Sequence, residues 1–110
     1  MAVPDFQTWF LPLLKRLADG QPHRIADLQK QLAQDLGLSD ADLKESLPSG
    51  RALTYKNRLG WARTYLNKAG LIESPKRGEW QITDRGQSVL AQNLDRLNVG
   101  FLKQFPEFRE

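Results

Sequence analysis

Residues 52–70 read ALTYKNRLGWARTYLNKAG, and residues 71–83 read LIESPKRGEWQIT. The first stretch has the spacing of one long helix, expected over 52–69. Tyr55, Leu59, Ala62, Leu66 and Ala69 fall on one stripe at about 100° per residue, and Gly70 stands at the left-handed closing position. Opposite the stripe lie Thr54, Asn57, Trp61, Thr64 and Lys68, with Lys56 and Arg63 on one flank and Arg58 on the other. Gly60 sits in mid-helix at a cost of about 1 kcal/mol relative to alanine, which points to close packing or close approach of a partner. The second stretch alternates as a hairpin. Leu71–Ser74 and Glu79–Ile82 form the strands, and Pro75-Lys76-Arg77-Gly78 forms the connection.

Working outward, Phe6, Phe10, Leu13, Leu14 and Leu17 give an opening helix, with Pro12 either kinking it or occupying its first turn. His23-Arg24-Ile25 has the makings of a short strand. A helix over 26–36 follows, with Gly37 as its cap, and Ser39-Asp40-Ala41-Asp42 opens a short helix ending near Leu47. After the hairpin, Thr83 caps a helix carrying Val89, Leu90, Leu94 and Leu97. The tail from Phe101 to Phe108 is too aromatic for an idle linker and is expected to dock. This order is helix, short strand, helix, short helix, helix, hairpin, helix. It is the layout of a winged helix-turn-helix domain, mainly α with a small β-hairpin.

Charge sharpens the reading. The chain has 110 residues and a net charge of +3. Residues 1–50 carry five basic and seven acidic side chains, whereas residues 51–85 carry eight basic and three acidic. The excess therefore falls on the long helix and hairpin, the elements that face DNA in this layout, and such clusters bind polyanions through counterion release. On this reading Arg51, Thr54, Lys56, Asn57, Arg58, Trp61, Lys76 and Arg77 form the DNA-binding set. Asn57 and Arg58 suit adenine and guanine edges, while Arg51, Lys76 and Arg77 suit phosphates. The alternatives are a surface amide for Asn57, an ion pair with the acidic first half for Arg58, and burial of Trp61 against the hairpin or tail. Trp80 and Tyr65 read as core, Arg63 and Lys68 as ordinary surface charges, and His23 as structural.

Several chemistries are excluded by composition. There is no cysteine and one histidine, so thiol catalysis, thiolate zinc sites and multi-histidine metal sites are out, and no cofactor is expected. No apolar run approaches a membrane span, and no signal pattern opens the chain. A cytoplasmic protein is expected. Pro4-Asp5 and Asp42-Leu43-Lys44 imitate the letters of a metal-nuclease motif, but no predicted strand pair brings them together.

Asn57-Arg58-Leu59-Gly60-Trp61-Ala62, followed by Leu66 and Ala69-Gly70-Leu71, resembles the N-terminal domain of Mrr-type restriction endonucleases. Arg77-Gly78, Trp80, Ile82-Thr83, Gly86, the Phe101–Phe108 tail and Asp19-Gly20-Gln21-Pro22-His23-Arg24 are similar to the same family. The resemblance covers nearly the whole chain. It implies the winged-helix, double-stranded-DNA-binding module of a type IV, modification-dependent restriction enzyme. In that family a separate Mg²⁺-dependent nuclease domain of the PD-(D/E)-x-K type follows, and the substrate is associated with methylated DNA. Asn57, Arg58, Gly60 and Trp61 are the positions carried over. Residues 1–100 are then the DNA-binding domain, and 101–110 an aromatic tail or the start of a linker to a nuclease domain absent from this chain. The competing reading is a protein-interaction or dimerisation module, and a homodimer is compatible with both.

Overall fold

The computed structural model describes residues 3–109. The chain opens on one turn of 3-10 helix, Phe6–Trp9, started by the Asp5 carboxylate, which accepts from the Thr8 N–H at 3.1 Å. Helix α1, Phe10–Arg16, follows directly. Pro12 occupies its first turn, where a missing N–H leaves no intrahelical bond unmade. The 3-10 turn advances about 120° per residue and brings Trp9 onto the buried face. Trp9 is fully buried, with its indole N–H donating to the Pro4 carbonyl at 3.3 Å. An α-helical reading of this segment passes it over.

Strand β1 is His23–Arg24 and helix α2 is Ile25–Asp35. Helix α3, Asp40–Lys44, starts with a reciprocal cap. The Ser39 hydroxyl accepts from the Asp42 N–H at 3.1 Å, and the Asp42 carboxylate accepts from the Ser39 N–H at 3.0 Å. The helix stops earlier than the expected Leu47 because residues 45–54 fold back on themselves. Ser46 and Leu53 form a β-bridge, and the Leu47 N–H donates to the Ala52 carbonyl at 2.9 Å. That bridge also delays helix α4, which runs Thr54–Lys68. Gly70, at φ +81°, ends it in the left-handed conformation that only glycine adopts cheaply.

Strands β2, Ile72–Lys76, and β3, Glu79–Ile82, complete an antiparallel sheet of order β1-β3-β2. His23 pairs with Trp80 on one side of β3, and Ile72 pairs with Ile82 on the other. The ladder is irregular between Glu73 and Lys76, where Pro75 has no N–H to give. Ser74 compensates: its hydroxyl is within 2.8 Å of the Lys76 carbonyl and 2.9 Å of the Glu79 carbonyl.

Helix α5 is Asp84–Leu90, capped by the Thr83 hydroxyl, which accepts from the Gly86 N–H at 3.1 Å. Contrary to the expectation from Leu94 and Leu97, this helix does not continue. Asn93 sits at φ +53°, a conformation asparagine tolerates, and the chain then runs without regular structure to helix α6, Val99–Leu102. Leu97 is buried all the same. The tail docks as expected. Helix α7, Pro106–Arg109, lays Phe108 against Tyr65 at 5.7 Å between ring centroids, and Glu107 pairs with Arg85 at 2.6 Å.

One core joins these elements. Phe10, Leu13, Leu14 and Leu17 meet Leu28 and Leu32 of α2, Leu59, Ala62 and Leu66 of α4, and Leu71, Ile72 and Ile82 of the hairpin. Each fully buried aliphatic side chain contributes about 1.5–3 kcal/mol. Across α1 and α2, Arg16 grips Asp35 through two hydrogen bonds of 2.6 and 2.7 Å. The guanidinium holds the Asp35 carboxyl below its ordinary range. The Glu107 carboxyl is lowered likewise by Arg85, and Asp19 by its hydrogen bonds to His23 and the Gln21 N–H. A lowered carboxylate stabilises the fold above its unfolded pKa and loses that contribution as pH falls through the folded one. The thermal midpoint should therefore hold steady from pH 7 to about 5 and fall below about 4. Asp35→Asn should shift the plateau down by less than the equivalent of about 1 kcal/mol and flatten the acid limb, measured by circular dichroism melts.

Candidate nucleic-acid interface

Helix α4 carries Lys56, Arg58, Arg63 and Lys68 and no carboxylate. Among the described residues none of these four makes a salt bridge. The three ion pairs found, Arg16–Asp35, His23–Asp19 and Arg85–Glu107, all lie on other elements. The acidic first half thus spends several carboxylates on caps and local pairs, leaving the positive charge of α4 uncompensated.

The outer face of α4 is read from burial. Leu59, Ala62, Leu66 and Ala69 are buried, whereas Lys56, Trp61, Thr64, Asn67 and Lys68 are exposed and Asn57 is half-buried. Asn57 and Arg58 are joined: the guanidinium Nη1 donates to the Asn57 Oδ1 at 2.6 Å. The alternative of an Arg58 ion pair with the acidic half is thereby set aside. The bond leaves both amide N–H groups of Asn57 and most of the guanidinium donors free to point outward. Arg63, read from the sequence as an ordinary surface charge, stacks over the Trp80 ring at 5.3 Å and ties mid-α4 to β3. Lys68 lies 5.6 Å over the Phe108 ring.

Of the expected site residues on α4, Thr54 departs from the helical wheel and Trp61 follows it. Thr54 is only 4% exposed. It is the first residue of α4, and its N–H donates to the Glu45 carbonyl at 2.9 Å, which holds it under the 45–53 loop. It therefore does not belong to the outer face. Trp61, placed in the DNA-binding set with burial against the hairpin or tail as the alternative, is 50% exposed, so it is not covered by either. The hairpin packs on the opposite flank, at Arg63, and the tail's Phe108 docks one turn further on, at Tyr65. Trp61 touches Tyr65 edge-on at 6.2 Å and forms the outer end of an aromatic run through Tyr65, Phe6 and Phe10.

Arg51, in the loop before α4, is exposed, as are Lys76 and Arg77 at the hairpin tip. The structure adds a cation there. Arg24 is exposed on β1 opposite Glu79, and the next residue, Ile25, donates its N–H to the Gly78 carbonyl at 3.0 Å. The short strand expected at His23-Arg24-Ile25 carried no partner in the sequence, and the charge count by chain segment assigned Arg24 to the acidic half; its pairing with β3 brings it to the hairpin.

Asp5 and Asp42, the carboxylates of the two nuclease-like strings, are both engaged as helix caps. Among the described residues no three His, Asp or Glu side chains converge as a metal site would require. No helix among them is long and apolar enough to cross a membrane. A groove lies between α1 and residues 95–98. It is lined by both signs of charge, among them Lys15, Asp35, Asp95 and Arg96.

Fold and surface together define a small, mainly helical domain on a three-stranded antiparallel sheet, with a helix that carries cations and no carboxylate and with exposed cations at a hairpin tip. The family model described as the Mrr N-terminal domain matches residues 6–92, and the chain belongs to that family. It is 39% identical over 94 residues to the type IV methyl-directed restriction enzyme EcoKMrr of Escherichia coli strain K12. That match covers 84% of this chain and 31% of the relative, so the chain spans about a third of the relative's length. No solved structure matches.

Proposed function

We propose that this chain is a winged-helix DNA-binding domain that delivers a nuclease, carried elsewhere in its parent protein, to duplex DNA. The observation that carries the reading is the run of four cations on α4, a helix with no carboxylate, none of which forms a salt bridge among the described residues. The element order supports it too: α2, α3 and α4 followed by the β2–β3 hairpin correspond to the helices and wing of that architecture. Arg51, Lys56, Lys76, Arg77 and Arg24 hold phosphates. Asn57 and Arg58 read base edges as a joined pair, since Oδ1 of Asn57 shares its acceptor lobe with Arg58. The similarity to a methyl-directed enzyme makes methylated duplex the first substrate to try.

The test is fluorescence anisotropy of labelled duplexes, unmodified and methylated at adenine or cytosine, across a salt series. Salt-dependent binding is expected. Tighter binding to one methylated duplex at matched salt would make the domain itself the modification reader, and no binding at low salt would sink the proposal. Asn57→Ala should change the preference between sequences by roughly 5- to 150-fold, corresponding to the ~1–3 kcal/mol of one bidentate contact. A uniform loss on all duplexes would remove Asn57 from base reading.

The half-exposed Trp61 favours one second reading, a protein-interaction or dimerisation surface. Absence of duplex binding together with a concentration-dependent dimer that Trp61→Ala abolishes would establish it instead.

A further inference from the structure

Gly60 stands at the centre of the outer face of α4, and nothing in the domain's packing asks for a glycine there. A Cβ built on Gly60 meets no atom within 4 Å outside its own helix, and the φ of Gly60 is not in the left-handed region. The sequence left two explanations open, close internal packing or close approach of a partner, and the first is now removed. At mid-helix a glycine forfeits helix stability against alanine, so its presence calls for a reason outside the folded domain.

The surroundings identify the partner. Asn57 and Thr64 share a face with Gly60 at i−3 and i+4, and Lys56 lies at i−4. The Thr64 hydroxyl donates back to the Gly60 carbonyl at 3.0 Å, so that side chain lies along the helix instead of standing away from it. The result is a low line on α4 at Gly60 and Thr64, bordered by the half-exposed Trp61 on one side and by Lys56 on the other. A helix with four cations and no carboxylate fits a polyanion on this face. We infer that Gly60 is the point at which the backbone of α4 comes closest to duplex DNA, and that the missing side chain lets the flanking Lys56 and Asn57 reach their contacts. This inference deepens the DNA-binding reading and rests on it.

Gly60→Ala and Gly60→Gln test it, each measured for thermal midpoint and for affinity toward a labelled duplex two helical turns long. Both substituents favour helix and extend into open space, so neither should lower the midpoint. Alanine should raise it by roughly 4–8 °C. Duplex affinity should fall at least about tenfold for alanine and further for glutamine, on every sequence alike. A more stable protein that binds less well is an outcome no purely structural role produces. If wild type binds and Gly60→Ala binds equally, the inference fails while the DNA-binding reading stands. A lowered midpoint would mean that Gly60 serves the fold, and would overturn it as well. If wild type itself binds no duplex, both fall together.

Discussion

Gly86→Ala is expected to cost about 3 kcal/mol and to lower the thermal midpoint by on the order of 15 °C. Gly86 is buried in the first turn of α5, where that helix crosses the base of the hairpin. An added Cβ would lie 2.3 Å from the Leu71 carbonyl oxygen and 2.5 Å from Cγ1 of Ile82. Ile82 is a buried core side chain, and the Leu71 carbonyl is fixed backbone. It accepts the Thr83 N–H at 3.0 Å and so closes the β2–β3 hairpin at its base. Relief therefore requires α5 to lift off the sheet. That would break the Thr83 cap and expose Val89 and Ile82, which are now buried. Urea and thermal unfolding followed by circular dichroism measure the loss. An unchanged midpoint would show that α5 is not seated on the hairpin base. The contrast with Gly60→Ala is sharp: two helical glycines, one with backbone against it and one facing open space, should respond with opposite signs.

The second large effect is on binding. Replacing Arg51, Lys56, Lys76 and Arg77 together by alanine should weaken duplex binding by up to three to four orders of magnitude at about 0.1 M salt. The slope of log affinity against log salt should flatten by up to about 3.6, roughly 0.9 for each phosphate contact removed. All four side chains are exposed and none forms a salt bridge among the described residues, so the melt should be almost unchanged. That separates the result from Gly86→Ala, which acts through the fold. Thr54, buried beneath the 45–53 loop, is deliberately outside this set. Full affinity in the quadruple variant would move the DNA contact to another surface and end the case for α4 and the hairpin tip.

Much of this molecule was legible from residue order alone, because the signals are local. The Ser39–Asp42 cap, the Thr83 cap and the left-handed Gly70 each depend on a few neighbouring residues. The buried stripe of α4 follows from helical periodicity, and the hairpin from Ile72, Trp80 and Ile82 alternating with polar residues around Gly78, although β2 runs on through Pro75 and Lys76, which the sequence assigned to the connection. The family was legible in the Asn57–Leu71 string. So was the concentration of positive charge on α4 and the hairpin, since charge count needs no coordinates.

Other features depended on what the chain meets in space. Sequence set Trp80 toward the core and Trp61 on the outer side of α4 but left burial of Trp61 open; Trp80 lies under Arg63 while Trp61 remains half in solvent, because the hairpin and the tail pack on the other flanks of α4. Thr54 shares the outer side of an ideal wheel with Asn57, but the loop that folds back before α4 covers it. Arg24 belongs to the acidic half by position and to the cationic hairpin tip by strand pairing. Gly60 and Gly86 are each a glycine within a helix, and only their surroundings tell close backbone contact from open space. Caps, periodicity and net charge are properties of neighbouring residues, so sequence determines them. Which face is covered, and by what, is a property of long-range packing, and only the tertiary structure decides it.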